Sequence, residues 1–297
     1  MKKIYLFLPI LAGFMFGSSG IFVRTLTQNG IDQGTLLFLR FSIAIIPILI
    51  ALIILTDKKL LKIDLKDIPL FLACSICIIG LNLCYNESMN TVPLSLAAVL
   101  LSLAPIFVLV FAYILFREKI TSKKLICMFL AIFGCVLMTG VLEDNIINIP
   151  LFGILSGVGA ALFWAVYLMA SKKSMETGKH TYTILFYSII FITIALIPFT
   201  SFGQIADFIS IDPLLCIIFL IIHSTFSFAL PYIFSTLSLN YIDSGISSIL
   251  LSGAEPLAAL IFGFFIYSEV PTVLMFCGFI LTIAAMMMLS RKDTLET

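Results

Sequence analysis

Two ionisable side chains, Glu255 and His223, stand inside long apolar stretches of the sequence, and both could move a proton. Glu255 comes directly before a proline in the largely apolar stretch SGAEPLAALIFGFFIYSE (252–269). A carboxyl and an imidazole at similar depth could pass a proton between them or accept a cation. The alternatives are structural: Glu255 as a neutral carboxyl that donates to a carbonyl freed by Pro256, and His223 hydrogen-bonded to Ser227 one turn on.

Arg40 and Glu87 form a second pair of charged residues with a predicted role. Arg40 lies about one and a half turns into its apolar stretch, and Glu87 lies near the end of the next one, on the same side of the predicted helices. A salt bridge between them would act as a gate that breaks when the pathway opens on that side. The alternative is an arginine that extends to the water interface and an interfacial glutamate, each hydrated.

Several polar and aromatic side chains on the same stretches are candidates for contact with a small molecule. Asn82 and Asn86 are four residues apart, which places them on one face of a helix. Helix packing explains serine and aromatic residues more easily than it explains asparagine, and interface anchoring is a further alternative for the aromatic residues. The predicted substrate contacts are Asn82, Asn86, Trp164, Tyr167, Ser227 and Glu255.

The residues that enzymes and metal sites need are scarce. The chain has two histidines, His180 and His223, and no nucleophile–base–acid set is formed around either. Cys74 and Cys77 form a CxxC pair, but no second pair or nearby histidine completes a metal site. All seven cysteines fall within apolar stretches and are expected to be small buried residues without disulfides: Cys74, Cys77, Cys84, Cys127, Cys135, Cys216 and Cys277. We therefore predict a protein that is not an enzyme and that has no metal site and no cofactor.

These side chains must be positioned by helices in a lipid bilayer. Of the 297 residues, 61% are hydrophobic and 11% charged, and the mean hydropathy is +1.20. A soluble core cannot bury that much apolar surface. Apolar runs of about 20 residues, the length that spans the hydrocarbon core, predict an all-α integral membrane protein with ten transmembrane helices. They cover about 5–23, 35–55, 68–88, 94–116, 124–141, 150–171, 181–201, 213–236, 244–267 and 271–290.

The positive charges indicate how the chain lies in the membrane. With both termini in the cytoplasm, fifteen of the 17 lysines and arginines fall on the cytoplasmic side, as the positive-inside rule requires. They are Lys2, Lys3, Lys58, Lys59, Lys62, Lys66, Arg117, Lys119, Lys123, Lys124, Lys172, Lys173, Lys179, Arg291 and Lys292. The basic loops also carry acids, which argues against a nucleic-acid partner. The first apolar run lacks a small-residue cleavage site and is expected to be retained, which predicts a multi-pass protein of the cell (inner, cytoplasmic) membrane.

The sequence contains a weak internal repeat. Shifting the chain by 151 residues aligns LLSLAPIFVLVFAYILFREKIT (100–121) with LLSGAEPLAALIFGFFIYSEVPT (250–272), and Pro105 then matches Pro256. This register predicts two five-helix halves, 1–145 and 146–297. Because each half has an odd number of helices, the second half enters the membrane from the opposite side. Inverted repeats whose helices are broken at matching positions, here Pro105 and Pro256, are typical of secondary transporters.

The sequence resembles the EamA-type members of the drug/metabolite transporter superfamily, and the resemblance covers nearly the whole chain. It depends on the five-plus-five helix plan, on PIFVLVFAYILFREKIT in the first half and on AEPLAALIFGFFIYSE in the second. FGSSG (16–20) and FWA (163–165), at the openings of the two halves, also fit. The family's usual glycine before the terminal glutamate is Arg117 in one half and Ser268 in the other.

The resemblance implies the export or exchange of a small metabolite by alternating access, without naming the substrate. Phosphorylated substrates would need clusters of Lys or Arg at membrane depth, and Arg40 is the only basic residue predicted there. We therefore predict outward transport of an amino acid or a similar zwitterionic or neutral compound, with Glu255 and His223 as candidates for proton coupling. A multidrug or amphipathic-compound exporter and an oligomeric channel are the alternatives. The expected partners are the substrate and the lipid bilayer, and a homodimer is left open.

Overall fold

The computed structural model describes residues 2–55, 63–92, 94–142, 150–268 and 270–290. Within these residues every regular element is a helix. The helices are α1 (Lys2–Tyr5), α2 (Phe7–Gly17), α3 (Ser19–Gln28), α4 (Gln33–Leu55), α5 (Ile68–Thr91), α6 (Leu94–Leu101), α7 (Ala104–Phe116), α8 (Ser122–Met138), α9 (Leu151–Glu176), α10 (Thr181–Leu196), α11 (Phe202–Ile211), α12 (Pro213–Ser224), α13 (Leu230–Ser238), α14 (Ser244–Tyr267) and α15 (Val273–Leu289). Some residues used in the charge and repeat predictions lie outside the described ranges: Lys58, Lys59, Lys62, Glu269, Arg291 and Lys292.

Eight stretches of helix, 19 to 27 residues long, are long and apolar enough to span a bilayer. They correspond to eight of the ten predicted segments. The other two segments, at about 124–141 and 271–290, form α8 and α15, which are 17 residues each. The prediction of an all-α protein with membrane-spanning helices is therefore confirmed, and the count of ten spans stays a prediction. The short apolar helix α11 was not predicted.

Three of the spanning stretches are interrupted. The first is divided at Ser18, between α2 and α3, and the fourth at Ser102–Leu103, between α6 and α7. The seventh contains a π-helical segment, Thr225–Ala229, between α12 and α13. Pro105 is the second residue of α7, a position where its missing N–H would have had no helical partner.

The break predicted at Pro256 is wrong, because α14 continues through this proline from Ser244 to Tyr267. Pro256 lies in the middle of the helix, with helical turns on both sides that keep their own hydrogen bonds. A proline there removes one intrahelical hydrogen bond, and in this helix that loss does not end the element.

The closest helix pairs join the two halves of the chain. Helix α5 packs along α9, α8 along α15, α14 along α2 and α10 along α4. Two further pairs, α7 with α9 and α13 with α2, also cross between the halves. Glycines permit the closest approaches, since a Cβ on Gly134 of α8 would overlap the Thr282 side chain of α15. Neither half therefore encloses a core of its own.

The ends of corresponding helices in the two halves repeat the same local structure. Arg117 after α7 and Ser268 after α14 are the non-glycine residues with positive φ in the described chain, at 54° and 56°, and they are 151 residues apart. Four residues after each, a threonine caps the next helix. Thr121 accepts a hydrogen bond from Lys124 N, and Thr272 accepts one from Met275 N, both at 3.3 Å. The spacing is the one that aligns the two halves of the sequence.

Candidate functional site

Glu255 lies where helices α14 and α2 cross. It is the twelfth residue of the 24-residue α14, and Gly17 of α2 packs against its backbone. A Cβ on Gly17 would overlap the carbonyl oxygen of Glu255, and a Cβ on Gly13 would overlap that of Leu251, so glycine is required for this close approach. Glu255 is half-buried, and its carboxyl has no hydrogen bond or ion pair among the described residues.

Arg40 points towards helix α12, where its Nε donates a hydrogen bond to His223 Nε2 over 3.4 Å. His223 is fully buried, and its ring packs against Phe22 with centroids 5.2 Å apart. Because Nε2 accepts, the ring proton is assigned to Nδ1, which has no partner among the described residues. Arg40 itself is half-buried.

The structure does not bring together the two charged pairs predicted from the sequence. No described ion pair joins Arg40 to Glu87, because α4 packs against α10 and α12 whereas α5, which carries Glu87, packs against α9. Likewise, no described hydrogen bond joins His223 to Glu255, since His223 faces Arg40 and Glu255 faces α2. The gate and the proton relay therefore do not form as direct contacts in this structure.

An aromatic cluster lies between these charged residues. The Trp164 ring stacks on Tyr167 with centroids 5.3 Å apart, and it meets Phe16 and Tyr232 edge-on at 5.8 and 5.5 Å. Tyr167 is fully buried, and its hydroxyl is 2.7 Å from Thr236 Oγ1. Tyr167 therefore packs against one face of the Trp164 ring, and its hydroxyl already has a hydrogen-bond partner in Thr236.

Tyr232 connects the aromatic cluster to both charged residues, and sequence reasoning missed it. Its phenol lies within electrostatic reach of the Arg40 guanidinium and of the Glu255 carboxyl. Tyr85 of α5 is a second phenol within reach of Glu255. The signal in the sequence was the spacing of Phe228 and Tyr232, whose rings lie 4.2 Å apart and tilted by 39° in the structure, as side chains four residues apart on a helix can.

The remaining predicted contact residues differ in their surroundings. Asn82 Nδ2 donates to the carbonyl of Ile78 in its own helix over 2.8 Å, so its amide is used locally. Asn86 is half-buried and has no hydrogen bond among the described residues. Ser227 is 2% exposed, lies in the π-helical segment, and its hydroxyl has no described partner. Unpartnered buried polar atoms are rare in folded proteins, so Ser227 stays a strong candidate.

A second group of charges joins the halves at one end of the helices. Glu118, just after α7, accepts hydrogen bonds from Lys172 Nζ, from Ser244 N at 2.9 Å and from Ser244 Oγ at 2.7 Å. Lys172 also donates to Ser244 Oγ over 3.0 Å and lies 4.8 Å from the centre of the Phe116 ring. The side chains of Glu118 and Lys172 are only 12% and 17% exposed.

Two further ion pairs at the same end also connect the halves. Lys124 Nζ lies 2.6 Å from Asp243, and Lys179 Nζ lies 2.6 Å from Asp67. The Lys124 side chain is 4% exposed and also donates to the carbonyl of Lys119. We call these six residues the interhalf network: Asp67, Glu118, Lys124, Lys172, Lys179 and Asp243.

Two acids of the interhalf network have shifted pKa values. Burial raises the pKa of Asp243 above the ordinary carboxyl value, and the neighbouring Glu118 carboxylate raises it further, against the effect of Lys124. Burial also opposes the charge on Glu118, but hydrogen bonds with Asp243, Lys172 and Ser244 lower its pKa overall. Glu118 therefore keeps the negative charge, and Asp243 is the first of the two to bind a proton as the pH falls.

Sequence reasoning had interpreted the lysines of the interhalf network only as membrane anchors. Lys124 lies in the first turn of α8 and Lys172 just over one turn before the end of α9, near helix ends as anchoring residues usually are. The sequence signal that was available is the acids that flank helix ends, Glu118 after α7 and Asp243 before α14. Which lysine each acid would meet depends on how the two halves pack.

The chain is similar to known transporters along nearly its whole length. The model of the EamA-like transporter family matches residues 3–140 and, a second time, residues 151–291. An uncharacterized transporter of Archaeoglobus fulgidus is 25% identical over 288 residues, 95% of each protein. An uncharacterized transporter of Bacillus subtilis is 24% identical over 282 residues, which cover 92% of this chain and 88% of that protein. One solved crystal structure, 14% identical, has the same fold, with a TM-score of 0.80 over 99% of this chain and 98% of its own.

Proposed function

The chain belongs to the EamA-like transporter family, and on that basis we propose that it is a secondary active carrier that moves a small metabolite outward by alternating access. We propose that it lies in the inner membrane with both termini in the cytoplasm, as the distribution of lysine and arginine favours. The substrate class that the residues favour is an amino acid or a similar zwitterionic or neutral compound.

We propose that the carrier is built from two inverted five-helix halves, 1–145 and 146–297. The positive-φ residues Arg117 and Ser268 and the capping threonines that follow them recur at the 151-residue repeat. The helix pairs support the same relation. Exchanging each helix for its counterpart converts the α14–α2 pair into the α7–α9 pair, and the α5–α9 pair into the α13–α2 pair. The structure contains both helix pairs of each exchange, as expected if a two-fold axis relates the halves.

The observation that carries the proposal is the half-buried, unpartnered Glu255 in the middle of α14. A charged acid at the centre of a bilayer costs about 2.5–3.5 kcal/mol on insertion scales, and such residues usually mark substrate or ion pathways. Glu255 lies near Tyr85 and Tyr232, at a crossing between the halves. We therefore assign it to the substrate site and to proton coupling. The aromatic cluster around Trp164 would contact the apolar part of the substrate.

We propose that this structure represents a state closed towards the cytoplasm. The interhalf network joins the halves at the end of the helices that the positive-inside rule assigns to the cytoplasm. Three largely buried ion pairs keep the halves together at this end, because separating the halves would leave each charge without its partner. Opening to the cytoplasm requires these pairs to separate.

Exchange transport by the purified protein in liposomes tests the proposal. Liposomes are preloaded with one unlabelled amino acid, and uptake of the same labelled compound is followed across a panel of amino acids, polyamines and lipophilic cations. A carrier gives saturable, accelerated exchange with one chemical class, and an amino acid is the expected class. Exchange of lipophilic cations alone would indicate the multidrug alternative, for which the aromatic cluster is the supporting feature. Uptake that never saturates and shows no exchange would indicate a channel.

A further inference from the structure

Three polar side chains of α4 and of the α12–α13 span keep unused hydrogen-bonding groups among the described residues. Arg40 makes one long hydrogen bond, to His223 Nε2 at 3.4 Å, and takes part in none of the described ion pairs. His223 Nδ1 and Ser227 Oγ are buried and unpartnered in the described part of the chain. His223 and Ser227 are four residues apart and so lie on one side of the helix. Ser224, between them, bonds to the carbonyl of Leu39 and so holds this helix against α4.

An arginine in this position needs an anion to compensate the charge of its guanidinium. A guanidinium carries five N–H donors and a permanent charge, and the insertion of a charge at membrane depth is costly unless it is paired. None of the described ion pairs joins Arg40 to an acid. Arg40 is half-buried.

The surroundings of Arg40 are aromatic. Phe22 packs on His223 at 5.2 Å, and Phe41, the residue after Arg40, meets Phe228 edge-on at 4.6 Å. Phe228 in turn packs against Tyr232, with the rings tilted by 39°. The basic side chain with a described contact to Arg40 is His223, and a single guanidinium matches the charge and the fork geometry of one carboxylate.

We propose that Arg40 is the receptor for a carboxylate of the transported molecule, with Ser227 and Tyr232 as further donors to it. Its ligand is a small organic acid with one carboxylate and an apolar body, and the body contacts the rings of Phe228, Tyr232 and Trp164. This inference rests on the proposed carrier function. In an amino acid, the ammonium group would lie on the Glu255 side of Tyr232.

Binding to the full-length protein in detergent tests this assignment. Trp164 is the single tryptophan of the chain and lies in the aromatic cluster, so its fluorescence reports occupancy. The probes are a panel of L-amino acids and the methyl ester of each, which keeps the body and removes the negative charge. We expect at least one acid to bind and its ester to bind at least tenfold more weakly. Arg40→Gln should weaken binding of the acid at least tenfold and leave that of the ester unchanged, with Arg40→Lys intermediate.

Arg24→Gln is the matched control, since Arg24 is an exposed arginine in the middle of α3, and it should bind the acid as the wild type does. The unfolding temperature of ligand-free Arg40→Gln should equal or exceed that of the wild type, because the variant loses an unpaired buried charge. A marked fall in that temperature would assign Arg40 a structural role and overturn the proposal. Equal binding of the acid by wild type and Arg40→Gln, or no binding of any acid by the wild type, would overturn it as well.

The liposome exchange assay separates failure of this inference from failure of the carrier function. Saturable exchange of an ester, an amine or a neutral compound that Arg40→Gln leaves unchanged would refute the carboxylate site and leave the carrier function intact. Unsaturable uptake, or no exchange of any compound, would refute the carrier function itself. If Arg40→Gln loses the exchange of acids and keeps the exchange of other compounds, the result supports both the carboxylate site and the carrier function.

Discussion

Arg40 and Glu255 are the charged side chains that a bilayer would have to accommodate at depth, and both lack an oppositely charged protein partner among the described residues. The two side chains do not form an ion pair with each other. A direct Arg40–Glu255 pair would neutralise both charges, and neither would then be available to bind a charged group of a ligand. Tyr232 lies within reach of each and so keeps the two charges in one polar environment. At the scale of the residue, the site therefore consists of two unsatisfied charges with aromatic rings between them.

Replacing Glu255 with glutamine tests its role in coupling. Glu255→Gln keeps the shape of the side chain and removes its ionisation, so we expect the transport rate to fall at least tenfold and to lose its dependence on pH. The measurement is the initial rate of exchange in liposomes between about pH 5 and 8. An unchanged rate and pH profile would mean that the carboxyl only repairs the helix next to Pro256.

Arg117 and Ser268 are strained caps that glycine should relieve. Both adopt left-handed φ values and are exposed, and a side chain in that region costs about 1–2 kcal/mol. Arg117→Gly and Ser268→Gly should each raise the free energy of unfolding by about 1 kcal/mol, measured by thermal unfolding in detergent. Lys119→Gly, in the same loop without a positive φ, is the control and should not stabilise. A loss of stability in both cap variants would contradict the interpretation.

At the scale of the helices, the close crossing of α2 and α14 positions Glu255. Helix α2 ends at Gly17 and α3 begins at Ser19, so the glycine contact lies directly before the interruption at Ser18. Gly20, which lies three residues after Gly17, has no atom within 4 Å of where its Cβ would be, so helix packing does not explain it.

Gly17→Ala and Gly20→Ala form a matched pair for this crossing. In Gly17→Ala the new methyl group overlaps Ala258 and the Glu255 backbone, and we expect a loss of about 1–3 kcal/mol of stability together with weaker transport. Gly20→Ala adds a methyl group in open space within a helix and should stabilise by about 0.5–1 kcal/mol. Thermal unfolding measures both. Equal effects of the two substitutions would show that α2 does not pack as described.

The whole molecule is held together by contacts between its halves. The closest helix pairs cross between residues 1–145 and 146–297, and so do the three ion pairs of the interhalf network. A molecule of this kind can change its access by tilting one half against the other, which exchanges contacts at one face for contacts at the other. Such a tilting motion would have to break the ion pairs of the interhalf network at the end of the helices where they lie.

Charge reversal across the interhalf network should open that end, and Cys74 can report the opening. Cys74 is fully buried and lies 3.7 Å from Ser171, the residue before Lys172. In a background without the other six cysteines, Lys172→Glu places two acids together and should raise the rate of Cys74 alkylation by a maleimide at least tenfold. The double variant Glu118→Lys/Lys172→Glu should restore most of the protection, since the ion pair re-forms while the Ser244 contacts to Glu118 are lost.

Lys173→Glu is the control for that experiment. Lys173 is next to Lys172, and its ion pair with Glu176 lies on the surface, with side chains 59% and 46% exposed, so its reversal should leave Cys74 unreactive. If Lys172→Glu also leaves Cys74 protected in a folded protein, the interhalf network does not close this face.

The sequence by itself determined the class of the molecule and most of its elements. Apolar runs of spanning length define helices in any lipid environment, and for that reason eight predicted segments coincide with helices of spanning length. The family was also evident, since AEPLAALIFGFFIYSE and its first-half counterpart are local motifs. Pro256 shows the limit of a local signal, because a proline does not reveal whether the helix around it ends.

The tertiary structure alone decided which of the functional residues meet. Arg40 was predicted beside Glu87 and lies beside His223, because α4 packs against helices of the second half. The interhalf network and the contacts of Tyr232 with Arg40 and Trp164 emerged for the same reason, as these partners lie more than fifty residues apart along the chain. Helical periodicity tells which face of a helix a side chain occupies, but which helix covers that face depends on packing between distant segments.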